Sequence, residues 1–295
     1  MSSDFGSRDG WSWVMHGSTL RIGRTLFAVA MAGFGVLCLA YLDFVHQLQP
    51  VAEFLPASTR GYVFLAALTG VALIAASLAI VTGVKAFLYA TALTALFALW
   101  IIFLQVPSAF LNPQLLRSPW WVRTFETLAL TGGALVLAGL TSGPERRRWI
   151  RGGCVLFGVS LPVFGILHFI YAENVASLIP GWYPWPLFLA YLTGMGNVAA
   201  GVAIASGMVS RLAAILIGLM YALYALTLHI PRAVSEYLPQ LFMDDPTALQ
   251  RARGGLTSLF VAIAMWGVAW IVAGSSAPPA PSVPPNEETP LLRGK

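Results

Sequence analysis

The chain is predicted to be an all-α, polytopic membrane protein, with eight transmembrane helices arranged as two tandem four-helix bundles in parallel orientation. Three observations carry that prediction. Of 295 residues, 58% are hydrophobic and only 10% are charged, against roughly 25% charged in an ordinary soluble domain. The apolar residues fall in repeated runs long enough for the roughly 20 residues a helix needs to cross hydrocarbon. The sequence also repeats itself. A lipid-facing β-barrel would require short strands alternating with polar residues, and that pattern is absent.

The runs place spans at Ile22 to Leu42, Tyr62 to Thr82, Lys85 to Gln105 and Thr124 to Leu140, and again at Gly153 to Ala172, Leu187 to Gly207, Arg211 to Ile230 and Leu256 to Gly274. The chain divides into a leader (1–21), a first unit (22–141), an Arg-rich linker (142–152), a second unit (153–274) and a Pro-rich tail (275–295). The leader and tail are polar and read as disordered, although Trp11, Trp13 and Val14 suit a membrane interface. With both termini in the cytoplasm, 11 of the 17 Lys and Arg residues fall inside and 6 outside. The positive-inside rule then favours a multi-pass protein of the cytoplasmic membrane, anchored by the Arg146 to Arg151 cluster. Trp120, Trp121, Trp149, Trp182 and Trp185 stand at span ends, at headgroup depth. The net charge of +5 comes from these loop arginines and forms no basic stripe, so the partner they imply is the lipid bilayer and not nucleic acid.

The repeat runs in two blocks. Leu26 to Pro50 aligns with Leu156 to Pro180, matching at 10 of 25 positions, and Phe64 to Gly83 aligns with Phe188 to Gly207, matching at 11 of 20. The match continues through Leu104 with Leu228 and Pro107 with Pro231. The offset drops from 130 to 124 between the blocks, which confines the length change to a loop. Four spans per copy bring each copy back to its starting side, so the copies share one orientation about a rough twofold axis along the membrane normal. Gly158, Pro162 and Gly165 form a smooth face suited to close helix packing.

Polar groups inside a span cost several kcal/mol unless partnered, so each requires a reason. In the second copy these are His168, Tyr171, Glu173, Asn197, Tyr221 and His229, which predict a pocket open to the outer side. The first copy has Cys38 for His168, Tyr41 for Tyr171, Asp43 for Glu173 and Gln105 for His229, so it lacks both imidazoles. Two imidazoles at one depth suit haem iron, proton transfer or a hydrogen bond to a quinone carbonyl. They equally suit plain hydration near the headgroups. No metal-ligand spacing occurs, and Cys38 and Cys154 fall at opposite membrane faces, too far apart for a disulfide. Glu126 has Arg123 at i−3 and reads as half of a structural pair. No nucleophile elbow, P-loop or dinucleotide fingerprint is present.

At FGILHFIYAENVASLIPGWYPWP, LTGMGNVAAGVAIASG and SRLAAILIG the sequence resembles the DoxX-like family of small bacterial four-helix membrane proteins. The second copy is similar over about 152–274 and the first more loosely over 22–140. The resemblance implies a four-helix bundle in a bacterial cell membrane, and one branch of that family is linked to quinone reduction. Two functions follow as expectations. One is a quinone- or haem-associated redox accessory subunit that works with a membrane or redox protein partner. The other is a non-catalytic carrier or scaffold for an apolar small molecule or a membrane partner, held in a groove between the copies.

Overall fold

A computed structural model describes residues 6–111, 120–143 and 145–276; the side chains of residues 6–16 and of Trp120 are not included. The Pro-rich tail beyond residue 276 lies outside the described residues. The described residues are 84% helical, with no strand among them. Among the described residues, eight helices are long and apolar enough to cross a membrane. These are α1 (Gly6–Tyr41), α2 (Tyr62–Thr82), α3 (Ala86–Leu111), α4 (Trp120–Thr141), α5 (Arg146–Ile170), α7 (Pro186–Ser206), α8 (Ser210–Gln240) and α9 (Pro246–Ser275). A short helix, α6 (Ala172–Leu178), lies between α5 and α7.

Large apolar side chains such as Phe64, Leu88, Phe103 and Val202 stand exposed on the outward faces. Hydrocarbon is the solvent in which that exposure costs nothing. Threonines within the spans, among them Thr69, Thr91, Thr94 and Thr131, return their hydroxyls to the carbonyl four residues earlier. That local bond satisfies a polar group without breaking the helix.

Several helices run further than composition predicts. α1 is helical from Gly6, through residues expected to be disordered. α5 begins at Arg146, so the Arg cluster is its first turn and not a linker. α9 begins at Pro246, where Asp245 accepts a hydrogen bond from the Thr247 N–H at 2.8 Å and caps the helix. α8 continues past Ile230 to Gln240. Pro231 and Pro239 each lack the N–H that would bond the preceding turn, and α8 absorbs them by widening into π turns at Tyr224–His229 and Ala233–Tyr237. α3 widens at the matching place, Ile101–Gln105, ahead of Pro107.

Repeat symmetry is visible down to the turns. The α2–α3 and α7–α8 connections each reverse the chain through a left-handed glycine, Gly83 at φ 80° or Gly207 at φ 85°, followed two residues later by a second left-handed residue, Lys85 or Val209. Glycine supplies that conformation without strain.

The helices form a closed ring in which each neighbour in sequence is a neighbour in space, and α9 returns to α1. α4 and α9 also meet each other, which divides the ring into two lobes. The two four-helix units therefore interlock. α1 packs principally on α9 and α4 on α5, so the first helix of each unit leans on the last helix of the other. Glycines set these seams. A Cβ on Gly132 would lie 2.7 Å from the Gly153 oxygen, and one on Gly23 would lie 2.8 Å from the Gly267 oxygen. At the crossing, Gly133 faces the Val268 side chain. Close backbone approach between small residues is how helices gain contact area where no hydrophobic effect drives them together. These residues close the α1–α9 and α4–α5 seams between the copies.

Gly274 packs on Leu20 and Gly139 on Ile150, so the N-terminal helix, the inter-unit connection and the end of α9 share one face of the bundle. On the opposite face a clasp joins the units. Asp43, just past α1, accepts hydrogen bonds from the Tyr62 hydroxyl at 2.6 Å and from Arg253 of α9 at 2.8 Å, with His46 at 3.0 Å. The Arg253 guanidinium also lies over the Tyr41 ring, 4.7 Å from its centre. Burial alone would raise the Asp43 carboxyl, but the bonds from Tyr62, Arg253 and His46 outweigh it and hold it at about 2, below its ordinary 3.8. A carboxyl with a lowered folded-state pKa stabilises fully above its unfolded value and loses that contribution as pH falls through the folded one. After allowance for solvent screening of this partly exposed group, the clasp contributes about 1 kcal/mol above pH ~4 and loses it toward pH ~2. Asp43→Asn should lower the melting temperature at pH 7 and flatten its decline in that acid window; an unchanged melting curve would show that the clasp holds nothing.

Candidate functional site

The lobe bounded by α4, α5, α7, α8 and α9 contains a chamber of about 710 Å³. Its walls are mostly apolar, with Val122, Phe164, Leu189, Met220, Val261 and Met265 among them. Five of the six residues singled out from sequence line it: His168, Tyr171, Asn197, Tyr221 and His229. Glu173 does not. The α5 helix breaks at Tyr171, with φ −112° and ψ 34°, and the new helix α6 turns Glu173 to the exposed surface. The face shared by His168 and Tyr171 is therefore not continued to it.

At the chamber's core, Asn197 is fully buried and accepts the Tyr221 hydroxyl at 2.8 Å, while its amide donates to the Thr193 carbonyl at 3.0 Å. Tyr224 packs edge-on to Tyr221, with ring centres 5.8 Å apart. His168 Nδ1 lies 2.8 Å from the Phe164 carbonyl. A carbonyl only accepts, so that nitrogen carries the proton, and a neutral ring leaves the Nε2 lone pair available. His229 comes from the π turn of α8, a widened geometry that recurs at functional sites because it re-aims side chains.

Sequence reasoning missed a contribution from the other half of the protein. Glu126 of α4 and Gln47 of the loop after α1 both belong to the first unit and both line this chamber. Gln47 donates to the Glu126 carboxylate at 3.0 Å. The expected Arg123 partner is not within ion-pair distance among the described residues, and Arg123 is exposed. Position i−3 on the helix was the misleading signal. The informative one was that Glu126 is the sole acidic residue within the first four spans, and an intramembrane carboxylate points to function by default.

Beside the chamber, a vestibule of about 450 Å³ includes Ser177, Trp182, Arg232, Ser235 and Glu236. The two spaces share the walls at Ile179, Pro180, Thr227 and Leu228. Tyr183 bridges from the chamber wall to Thr227 by a 3.1 Å hydrogen bond.

The first unit has the same frame but different side chains at the aligned positions. At the positions aligned with Asn197, Tyr221 and Tyr224 it carries Leu73, Phe97 and Trp100, all buried. Cys38 replaces His168 and is fully buried. Gln105, in place of His229, donates to the Leu48 carbonyl and to Thr127, each at 2.7 Å. These first-unit side chains are buried, whereas Asn197, Tyr221, Tyr224, His168 and His229 line the chamber. Both cysteines are free, and no cluster of three or more potential metal ligands occurs among the described residues.

The fold and this chamber define an α-helical polytopic membrane protein with an internal, mostly apolar chamber. The sequence matches no protein-family model, and no curated protein and no solved structure matches it.

Proposed function

We propose that this protein binds a lipid-soluble small molecule in the chamber of its second unit, as a carrier or receptor in the membrane. The observation that carries this reading is the chamber itself, mostly apolar with Asn197, Glu126 and His168 in its lining, while the first-unit positions aligned with Asn197, Tyr221 and Tyr224 hold buried Leu73, Phe97 and Trp100. Cavities cost stability, through lost packing, in proportion to their size. An apolar chamber of this size with a few convergent polar groups is the common form of a ligand site. Its ligand carries a mainly apolar body and one polar group, placed against Asn197, Glu126 or His168.

A specific observation favours a second reading, a redox accessory subunit that docks a quinone-type molecule and passes electrons with a membrane or redox protein partner. It is the His168 ring, fixed by its backbone bond with Nε2 free to accept a hydroxyl proton. The DoxX-like resemblance of the second unit supports the same reading, along with a bacterial cytoplasmic membrane. The Arg distribution supports cytoplasmic termini. A quinol ring suits the lining better than haem does, because haem propionates require cations and no lysine or arginine lines the chamber.

Native mass spectrometry of gently solubilised protein tests both readings. The expected result is a co-purifying small molecule. If it is a quinone, the His168→Ala, His229→Ala double variant loses it, which selects the redox reading. A preparation from native membranes that carries no small molecule, and takes up none on incubation with a lipid extract, would sink both.

A further inference from the structure

We propose that the chamber is selective for lipophilic organic cations, with Glu126 as the counter-charge and the surrounding tyrosines as the cage. The inference rests on the small-molecule reading above and names the ligand class for that same site.

The first unit supplies the charge and the second unit supplies the walls. Glu126 projects from α4 into a space otherwise enclosed by α5, α7, α8 and α9. Its hydrogen bond comes from Gln47, an uncharged amide. Among the described residues no lysine or arginine lies within ion-pair distance of Glu126, and Arg123 acts on it only as a charge at longer range. Arg123 is exposed, Arg232 pairs with Glu236 outside the chamber at 3.5 Å, and neither lines the cavity. An ionised carboxylate among apolar walls is costly unless it takes up a proton or a counter-charge, and the counter-charge such walls admit is a positive charge that is itself poorly hydrated.

The walls suit such a cation. Tyr171, Tyr183, Tyr221 and Tyr224 line the chamber together with Phe164. Ring faces attract delocalised or alkylated cations, and the attraction grows when water is excluded. Tyr221 donates its hydroxyl to Asn197, which holds its ring in place. In the first unit the counterparts of Tyr221 and Tyr224 are buried Phe97 and Trp100. The carboxylate and the aromatic walls therefore coincide in the hollow lobe.

Tetraphenylphosphonium, tetraphenylborate and neutral triphenylphosphine are the probes, since the first two share a shape and differ in the sign of charge. Binding is measured by isothermal titration to the full chain in nanodiscs, with protein-free nanodiscs as the reference for partition into lipid. The expected result is tight binding of the phosphonium, with the borate weaker by about tenfold or more. Glu126→Gln, which retains the amide partner Gln47, should remove most of that preference. Glu126→Asp retains the charge and should preserve it. A melting curve for each variant establishes that it is folded. Equal affinity for phosphonium and borate in the unaltered protein, or an unaltered preference in folded Glu126→Gln, would overturn the cation assignment; triphenylphosphine binding would then leave the small-molecule chamber standing. Binding of none of the three would overturn both.

Discussion

Leucine at position 153 should cost the protein its assembled fold. A Cβ placed on Gly153 would sit 2.5 Å from the Gly132 oxygen, 2.6 Å from Val136 Cγ2 and 2.8 Å from the Val136 nitrogen. Two of these three atoms are backbone, held by the hydrogen bonds of α4, and cannot swing aside as a side-chain tip does. Accommodating a leucine requires α4 and α5 to separate along their shared seam, which is one of the two places where the units interlock. Overpacking a core usually costs about 1 to 3 kcal/mol, and rigid backbone puts this site at about 3 or more. The chamber would suffer too, since α4 carries Glu126 into it. Size-exclusion chromatography and thermal unfolding in detergent measure the effect. Gly181→Leu is the control, because nothing lies within 4 Å of a Cβ there. If Gly153→Leu and Gly181→Leu melt alike, the seam does not depend on close backbone contact.

The spans were legible because hydrocarbon imposes a simple demand on sequence, and the repeat was legible because the duplicated glycines and prolines persist at matching positions. Gly35 packs against Gly70 and Gly165 against Gly194, the same joint in both copies. Helix ends were less legible. Pro231 reads as a stop, yet α8 passes it, because a π turn rehouses the carbonyl that the proline leaves without a donor. The Asp245-Pro246-Thr247 cap was present in the sequence but lay ten residues before the apolar run that marked the start of the last span.

Among the residues that line the chamber, His168, Asn197, Tyr221 and His229 are conspicuous in the sequence for a physical reason. Each is a polar group at a depth where polarity is expensive, so each stood out against its surroundings. Glu126 was equally conspicuous but had a plausible partner one turn away. What excluded that partner was three-dimensional: α4 turns Glu126 inward and leaves Arg123 outside. The interlocking was not legible at all. A tandem repeat is compatible with each unit closing on itself or on its twin, and the choice depends on which seams the small residues of α1, α4, α5 and α9 fit.

Transplanting the first unit's filling into the second should abolish ligand binding while leaving the fold intact. The substitutions Asn197→Leu, Tyr221→Phe and Tyr224→Trp install the residues found at the aligned positions, where they are buried in a closed core. Removing Asn197 alone would strand the Tyr221 hydroxyl, at a cost of about 1 to 3 kcal/mol. Removing both partners of their 2.8 Å bond avoids that cost, since apolar replacements of similar shape leave nothing unsatisfied. The indole in place of Tyr224 adds volume to the chamber wall, where added packing stabilises by filling void. The combined variant should therefore melt at or above the temperature of the unaltered protein, yet bind triphenylphosphine more weakly by about tenfold or more. This combination separates the cavity from the scaffold. A variant that loses binding because it has unfolded says nothing about the chamber, whereas one that becomes firmer as it stops binding locates the ligand among these three side chains. Undiminished binding in the stable triple variant would place the ligand elsewhere on the protein.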